Sequence, residues 1–211
     1  MMLSLPSDAH VCCYVIRHGQ TVLNAERKFR GNVDPALDTT GVKQAHELSD
    51  LFSNINICAV FSSDKQRATK TADILVQKRE TPIHVVSCLR ALDVGKLSGQ
   101  PRSKENIKTL QSYLDNPDCR IPDGESLSDF RARVDPCIQQ AVHIGVETGT
   151  PPVIVAHSSI VREVGTLVAG DHKKVLVEPG GAVAIYIQNG KLEAKPIFRP
   201  MIEKSKADTI S

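Results

Sequence analysis

Two uninterrupted apolar runs, residues 11–16 and 153–156, each end in residues that carry chemistry: Arg17-His18-Gly19 after the first, His157-Ser158 after the second. The runs are too short for helices and hold no residue to turn toward water. They read as strands buried on both faces, as in a parallel sheet. A sheet covered on both faces needs helices between its strands, so the feature commits the chain to an alternating α/β domain. In such open sheets ligands lie outside the carboxyl ends of the strands. Arg17, His18 and His157 would stand there. Gly19 reads as the residue that lets the chain turn sharply after the strand.

The rest of the chain fits that alternation. Thr39 or Thr40 caps a helix carrying Ala45, Leu48, Leu51 and Phe52 at helical spacing. A strand is expected at 57–61, a helix opened by Ser62 or Ser63 and running to 79, and a strand at 83–86. A loop with Gly95 and Gly99, a helix at 102–114 and a loop broken by Pro117, Pro122 and Gly124 follow. Ser126 caps a helix to 146, and a further helix covers 159–169. Asn189-Gly190 between apolar runs 182–187 and 192–198 is a strong hairpin signal. The expected fold is α/β and three-layered: a mostly parallel central sheet flanked by helices, with a C-terminal antiparallel hairpin. Residues 1–10 read as a flexible leader and 11–200 as one domain. An insertion at about 87–126 would lie over the site as a lid, and 201–211 read as a tail.

Composition removes several classes. With 211 residues and a net charge of +2, the chain can bury one proper core and shows no bias toward nucleic acid or a membrane surface. No apolar stretch approaches the ~18 residues of a membrane span. The first ten residues lack the basic start and apolar stretch of a signal peptide. Six cysteines without a Cys-x-x-Cys pair read as reduced thiols of a cytoplasmic protein, Cys12 and Cys13 as core filling. The remaining histidines, His10, His46, His84, His143 and His172, form no ligand spacing, and no metal or cofactor is expected. A P-loop motif is absent.

On a parallel sheet, strand ends would bring together Arg17-His18, Ser62-Ser63-Asp64 with Arg67, and His157. Two arginines and the amides of a helix N-terminus suit the non-bridging oxygens of a phosphoryl group. A neutral imidazole can attack phosphorus, and a second histidine can donate to the oxygens in the transition state.

The chain resembles the histidine phosphatase superfamily, in the branch that includes cofactor-dependent phosphoglycerate mutase. The residues that carry the resemblance are Arg17-His18-Gly19-Gln20-Thr21 with Asn24, then Gly31, Asp34, Leu37 and Gly41, then Ser62-Ser63-Asp64, Arg67-Ala68 and Thr71-Ala72. Leu89, Gly95 and Gly99, Pro122-Asp123-Gly124-Glu125-Ser126 and Ala156-His157 complete it. The resemblance implies that His18 is the phosphorylated nucleophile and that Arg17, Arg67 and His157 build the phosphate pocket. Asn24 would support the phosphate, with Gly19, Thr21 and Ser158 beside it. Glu125 would come close to the pocket, or else serve only in helix capping.

The family's proton donor is usually a Glu four residues before the Gly that follows the third strand; here that position is Ala91. Three readings stay open. Asp93 acts as the acid from a shifted loop, so that Asp93→Asn cuts turnover strongly; the substrate has a good leaving group; or turnover is lost and phosphate binding kept. Asp93 also reads as a turn former before Gly95. The expected activity is a metal-independent phosphatase acting on a small phosphomonoester through a phosphohistidine on His18. The alternatives are a phosphoglycerate-type mutase and a non-catalytic phosphate-binding or scaffold relative. The C-terminal hairpin offers an edge for a homodimer, although Lys191, Glu193 and Lys195 alternate along it and would blunt such pairing.

Overall fold

The computed structural model describes residues 4–31 and 33–200. Residues 1–3 of the expected leader and the expected tail at 201–211 lie outside the described residues. The strands are β1 (His10–Arg17), β2 (Val60–Ser62), β3 (Ile83–Val85), β4 (Val153–Ala156), β5 (Ala182–Gln188) and β6 (Lys191–Phe198). The helices are α1 (Val22–Ala25), α2 (Thr39–Phe52), α3 (Gln66–Val76), α4 (Lys104–Leu114), α5 (Leu127–Thr148) and α6 (Ser158–Ala169). The sheet order is β3-β2-β4-β1-β5-β6. The first four strands in that order are parallel, and the β5–β6 hairpin runs antiparallel.

Alternation along the strands divides the core in two. Cys13, Val15, Ile154, Ala156, Val183 and Ile185 point to one face, packed with Phe130, Val134 and Ile138 of α5 and Ile160 and Val164 of α6. Tyr14, Ile16, Val153, Val155 and Ala184 point to the other, packed with Leu48 and Phe52 of α2 and Ala68, Ala72 and Leu75 of α3. Successive strand residues face opposite sides, so a sheet covered twice must be apolar at every position. That is why β1 and β4 read as unbroken apolar runs, and why the three layers are legible in the sequence.

Several local expectations are corrected. Asp38 caps α2, accepting from the Gly41 amide at 2.8 Å, in place of Thr39 or Thr40. α3 opens at Gln66, because Ser62 is still in the ladder and Ser63 is committed to the site. Residues 4–10 are not a loose leader: Leu5 and Ala9 pack on the core, Lys195 Nζ donates to the Ser4 carbonyl and Gln188 Nε2 to Asp8. Cys88 and Cys137 are joined in a disulfide, against the reading of six reduced thiols. They lie 49 residues apart and meet only because the turn after β3 packs on α5. Among the described residues no helix is long and apolar enough to cross a membrane.

Gly19 holds its place for a reason other than the expected sharp turn. A Cβ there would lie 2.4 Å from the Gly41 carbonyl oxygen, so the glycine allows β1 and α2 to meet backbone to backbone. Neither backbone can yield without moving its element. Gly19→Ala is expected to cost about 2–3 kcal/mol, in the range of overpacking. Chemical denaturation beside wild type reads this; an unchanged midpoint would show that α2 shifts freely.

Candidate active site

The register of the parallel strands builds the site. Arg17 pairs with Ala156, and Ser62 with Val155. The next residues along each chain, His18, His157 and Ser63, therefore leave the sheet together at its carboxyl edge. The His18 and His157 rings lie 5.2 Å apart, centroid to centroid, and edge to face. Both are buried, as are Ser63 and Arg67, which stands in the first turn of α3.

His18 is held in one tautomer. Its Nδ1 lies 2.7 Å from the Gly19 carbonyl, which can only accept, so Nδ1 carries the proton. The buried Nε2 then carries the lone pair, and it has no hydrogen-bond partner among the described residues. Burial first, then His157 and the cations of Arg30, Arg67 and Arg17, push its pKa well below the ordinary 6.5. Burial and the charges of Arg67 and Arg30 do the same to His157. Ser63 Oγ accepts from the Lys65 amide and lies 2.9 Å from His157 Nε2. With the hydroxyl donating to Nε2, the His157 proton resides on Nδ1, another buried atom without a partner among the described residues.

The histidines give the fold a pH signature. Below pH 6.5 the unfolded chain takes up two protons that the native site refuses. Stability linked to these groups is therefore complete above pH 6.5 and lost as pH falls. Each histidine contributes a slope approaching about 1.4 kcal/mol per pH unit. Denaturant midpoints at pH 7.5, 6.5 and 5.5 should fall in that order, and His157→Asn should flatten the decline; equal slopes in both proteins would contradict the assignment.

Arginines surround the pair. Arg67 Nη1 donates to the Val33 carbonyl at 2.9 Å and pairs with Asp34 at 3.3 Å, while Nε and Nη2 lack partners among the described residues. Arg17 Nη1 donates to the Val177 carbonyl, and its Nε is likewise unpartnered. Burial lowers both guanidinium pKa values to about 10, and burial with the charges of Arg17, Arg67 and Arg102 lowers Arg30 to about 9. All three stay charged at neutral pH, so the site is positively charged and short of acceptors. An anion with several oxygens is what such a site binds.

The other expected site residues divide. Asn24 and Ser158 line the main cavity of about 520 Å³ together with Arg17. Thr21 is buried, but its hydroxyl and amide are both spent on Asn24 Oδ1, at 2.9 and 3.1 Å, in a capping box. Gly19 contributes the carbonyl on His18 and is clamped through its amide by Thr71 Oγ1. The structure does not bring Asp93 and Glu125 into this cavity. Asp93 Oδ1 accepts from the Gly95 amide, the turn-forming alternative, and the residue lines a separate cavity with Arg90, Arg120 and Arg133. Glu125 accepts from the Asp93 amide and forms a two-pronged pair with Arg133, at 2.6 and 2.9 Å. Arg133 in turn donates to the carbonyls of Cys88, Arg90 and Ala91. Glu125 thus acts from behind, fixing the turn that carries Ala91 toward the site.

Sequence reasoning misses one residue and undervalues two others. Ser63 is placed at the converging strand ends but given no role there beyond helix capping, and Arg162 carries no signal beyond its place one turn into α6. Arg30 reads either as a loop cation that could meet a second anionic group or as one that is merely solvated, yet it faces both histidines electrostatically.

A family model described as histidine phosphatase superfamily (branch 1) matches residues 13–174. A probable phosphoglycerate mutase GpmB from Citrobacter koseri is 33% identical over 153 residues, covering 68% of each chain. Its counterpart in Salmonella arizonae is 32% identical over 148 residues, again 68% of each. Among solved structures, TTHB049 from Thermus thermophilus superposes with a TM-score of 0.69 at 27% identity, over 88% of this chain and 98% of that one. The alpha-ribazole phosphatase from Shigella flexneri gives 0.71 at 22% identity, over 88% and 95%, and shares the fold. The match to the family model covers both strand ends, both histidines and all three of the arginines Arg17, Arg30 and Arg67, and with it this chain belongs to the histidine phosphatase superfamily, branch 1.

Proposed function

We propose that the protein is a metal-independent phosphatase that takes the terminal phosphoryl group of a small phosphorylated substrate onto His18 Nε2 and releases it to water. The observation that carries this reading is the buried, unpartnered Nε2 with its ring proton fixed on Gly19 O, set among Arg17, Arg30 and Arg67. The arginines bind the non-bridging oxygens. As the N–P bond forms, His18 becomes cationic, and Gly19 O accepts the hydrogen bond from the Nδ1–H of that cation. His157, with its proton on Nδ1, donates to a phosphoryl oxygen where charge builds up. Fixed positive charge at the oxygens replaces what a metal ion would supply.

A mutase is the second reading, favoured by the curated relatives named probable phosphoglycerate mutases. It requires the phosphohistidine to wait for an acid-bearing acceptor. Ala91, an uncharged residue on the wall of the cavity beside His157, favours hydrolysis over that return. The test is turnover of para-nitrophenyl phosphate in excess chelator, with an excess of 3-carbon phospho acid in a parallel reaction. Release of inorganic phosphate at an undiminished rate supports the phosphatase. Phosphoryl transfer to the acid in place of phosphate release supports the mutase, and silence in both supports a binding protein.

A further inference from the structure

The main cavity, which Arg17 and Arg30 line, carries far more positive charge than one phosphoryl group needs. Among the described residues, seven of its lining side chains are Arg or Lys, and one, Glu178, is a carboxylate. Glu178 is largely exposed and sits 3.9 Å from Arg17. Asp34 is taken by Arg67 and the Gln66 amide. Beyond the inner arginines lies an outer group, Arg27, Lys28, Arg102 and Arg162. Arg102 stacks over the Phe29 ring at 5.2 Å, which fixes its guanidinium. Arg162 leaves α6 one turn after His157 and lines both this cavity and the neighbouring one. Among the described residues no carboxylate pairs with Arg30, Arg102 or Arg162. The neighbouring cavity, lined by His157, Ala91, Leu92 and Ile107, holds no carboxylate among the described residues.

Two needs of the substrate follow. Among the described residues, a leaving group in this cavity meets guanidinium groups and a single carboxylate, Glu178, which is largely exposed and faces Arg17; with no buried acid to protonate it, the group must depart as a weakly basic anion. It must also bring negative charge of its own to the outer cations. An alkyl phosphate meets neither need, since an alkoxide is strongly basic and carries no further charge. A phosphate leaving group meets both. Resting on the phosphatase reading above, we propose that the preferred substrate is a phosphoanhydride whose terminal phosphoryl group goes to His18 while the departing phosphate is held by Arg102 and Arg162.

The step balances without an acid. The His18 Nε2 lone pair forms the N–P bond, and the bridging P–O bond breaks with its electrons leaving on the departing phosphate. Water then attacks the phosphohistidine phosphorus; the N–P bond breaks, the ring recovers its lone pair, and the water proton leaves with the products. One water is consumed for each anhydride bond.

The test compares substrates in excess chelator. Tripolyphosphate and ADP present the anhydride from an inorganic and an organic source. Propane-1,3-diyl bisphosphate supplies matching charge on an alkyl leaving group, and para-nitrophenyl phosphate a weakly basic leaving group without added charge. General acids contribute roughly 10²–10⁴-fold, so kcat/KM for the better anhydride should exceed that for the alkyl bisphosphate by about 100-fold or more. Arg102→Gln should lower the ratio of tripolyphosphate to para-nitrophenyl phosphate turnover by about tenfold, the effect of one charged hydrogen bond. An alkyl bisphosphate cleaved as fast as either anhydride would overturn the inference while leaving the phosphatase reading intact. His18-independent turnover, or none of any substrate, would overturn both. Whichever anhydride is faster names the source.

Discussion

His18→Ala is expected to abolish turnover, with kcat falling by at least about a thousandfold, while the protein stays folded. The first half follows from the chemistry: among the described residues no other nucleophile stands in the pocket with a free lone pair. With the Ser63 hydroxyl donating to His157 Nε2, the proton of that ring sits on Nδ1 and neither nitrogen offers a free lone pair. Loss of an essential catalytic member typically leaves only what binding and electrostatic positioning supply. The second half follows from burial. His18 is neutral in the fold and donates one hydrogen bond, to the carbonyl of its own neighbour. Its removal deletes a polar ring from a cationic cavity and breaks no link between elements. Acid-stable or base-stable incorporation of label from 32P-substrate distinguishes the mechanism: a phosphohistidine is lost in acid and survives base. Wild type should show that lability, and the variant no label. Label of equal amount in His18→Ala would move the nucleophile elsewhere.

Legibility from sequence follows range. Features set by a residue's immediate neighbours are readable: the doubly buried strands, the Asn189-Gly190 turn, the Ser126 cap with its reciprocal Asp129 partner. The pairing of Arg17-His18 with His157 is readable because parallel strands place equivalent ends at one edge. What fails depends on contacts across the fold. Ser63 looks like a cap in sequence and becomes a partner of His157 only because β2 and β4 are adjacent. Glu125 stands in a motif beside the site, but its carboxylate is claimed by Arg133 from α5. Asp93 resembles a displaced acid in sequence, whereas in the fold its carboxylate closes the turn onto Gly95. The same long-range limit hides the Cys88–Cys137 bridge. Arg30 lies in a loop with no periodicity, so nothing local separates a pocket cation from a solvated one.

Arg67 should show activity and stability moving apart. Its side chain is fully buried, yet two of its three nitrogens lack partners among the described residues, and its charge is opposed by one half-buried carboxylate, Asp34. A buried charge so poorly satisfied is costly to the empty fold. Burial therefore holds its pKa down at about 10, against the raising effect of Asp34. Arg67→Met keeps a long side chain of similar reach and removes the charge. Replacing buried ionic groups by apolar ones of similar volume is often neutral or stabilising by about 1–4 kcal/mol. The thermal midpoint in phosphate-free buffer should hold or rise, since Asp34 is exposed enough to be hydrated once released. In catalysis the same guanidinium binds the phosphoryl oxygens, and deleting one such donor typically costs about 10²–10³-fold in kcat. The ligand response should vanish with it. Inorganic phosphate raises the wild-type midpoint through binding to the native state alone, and the variant should respond far less. Activity and midpoint falling together would mean that Arg67 holds α3 in place, and that its unpaired nitrogens are not the part that binds substrate.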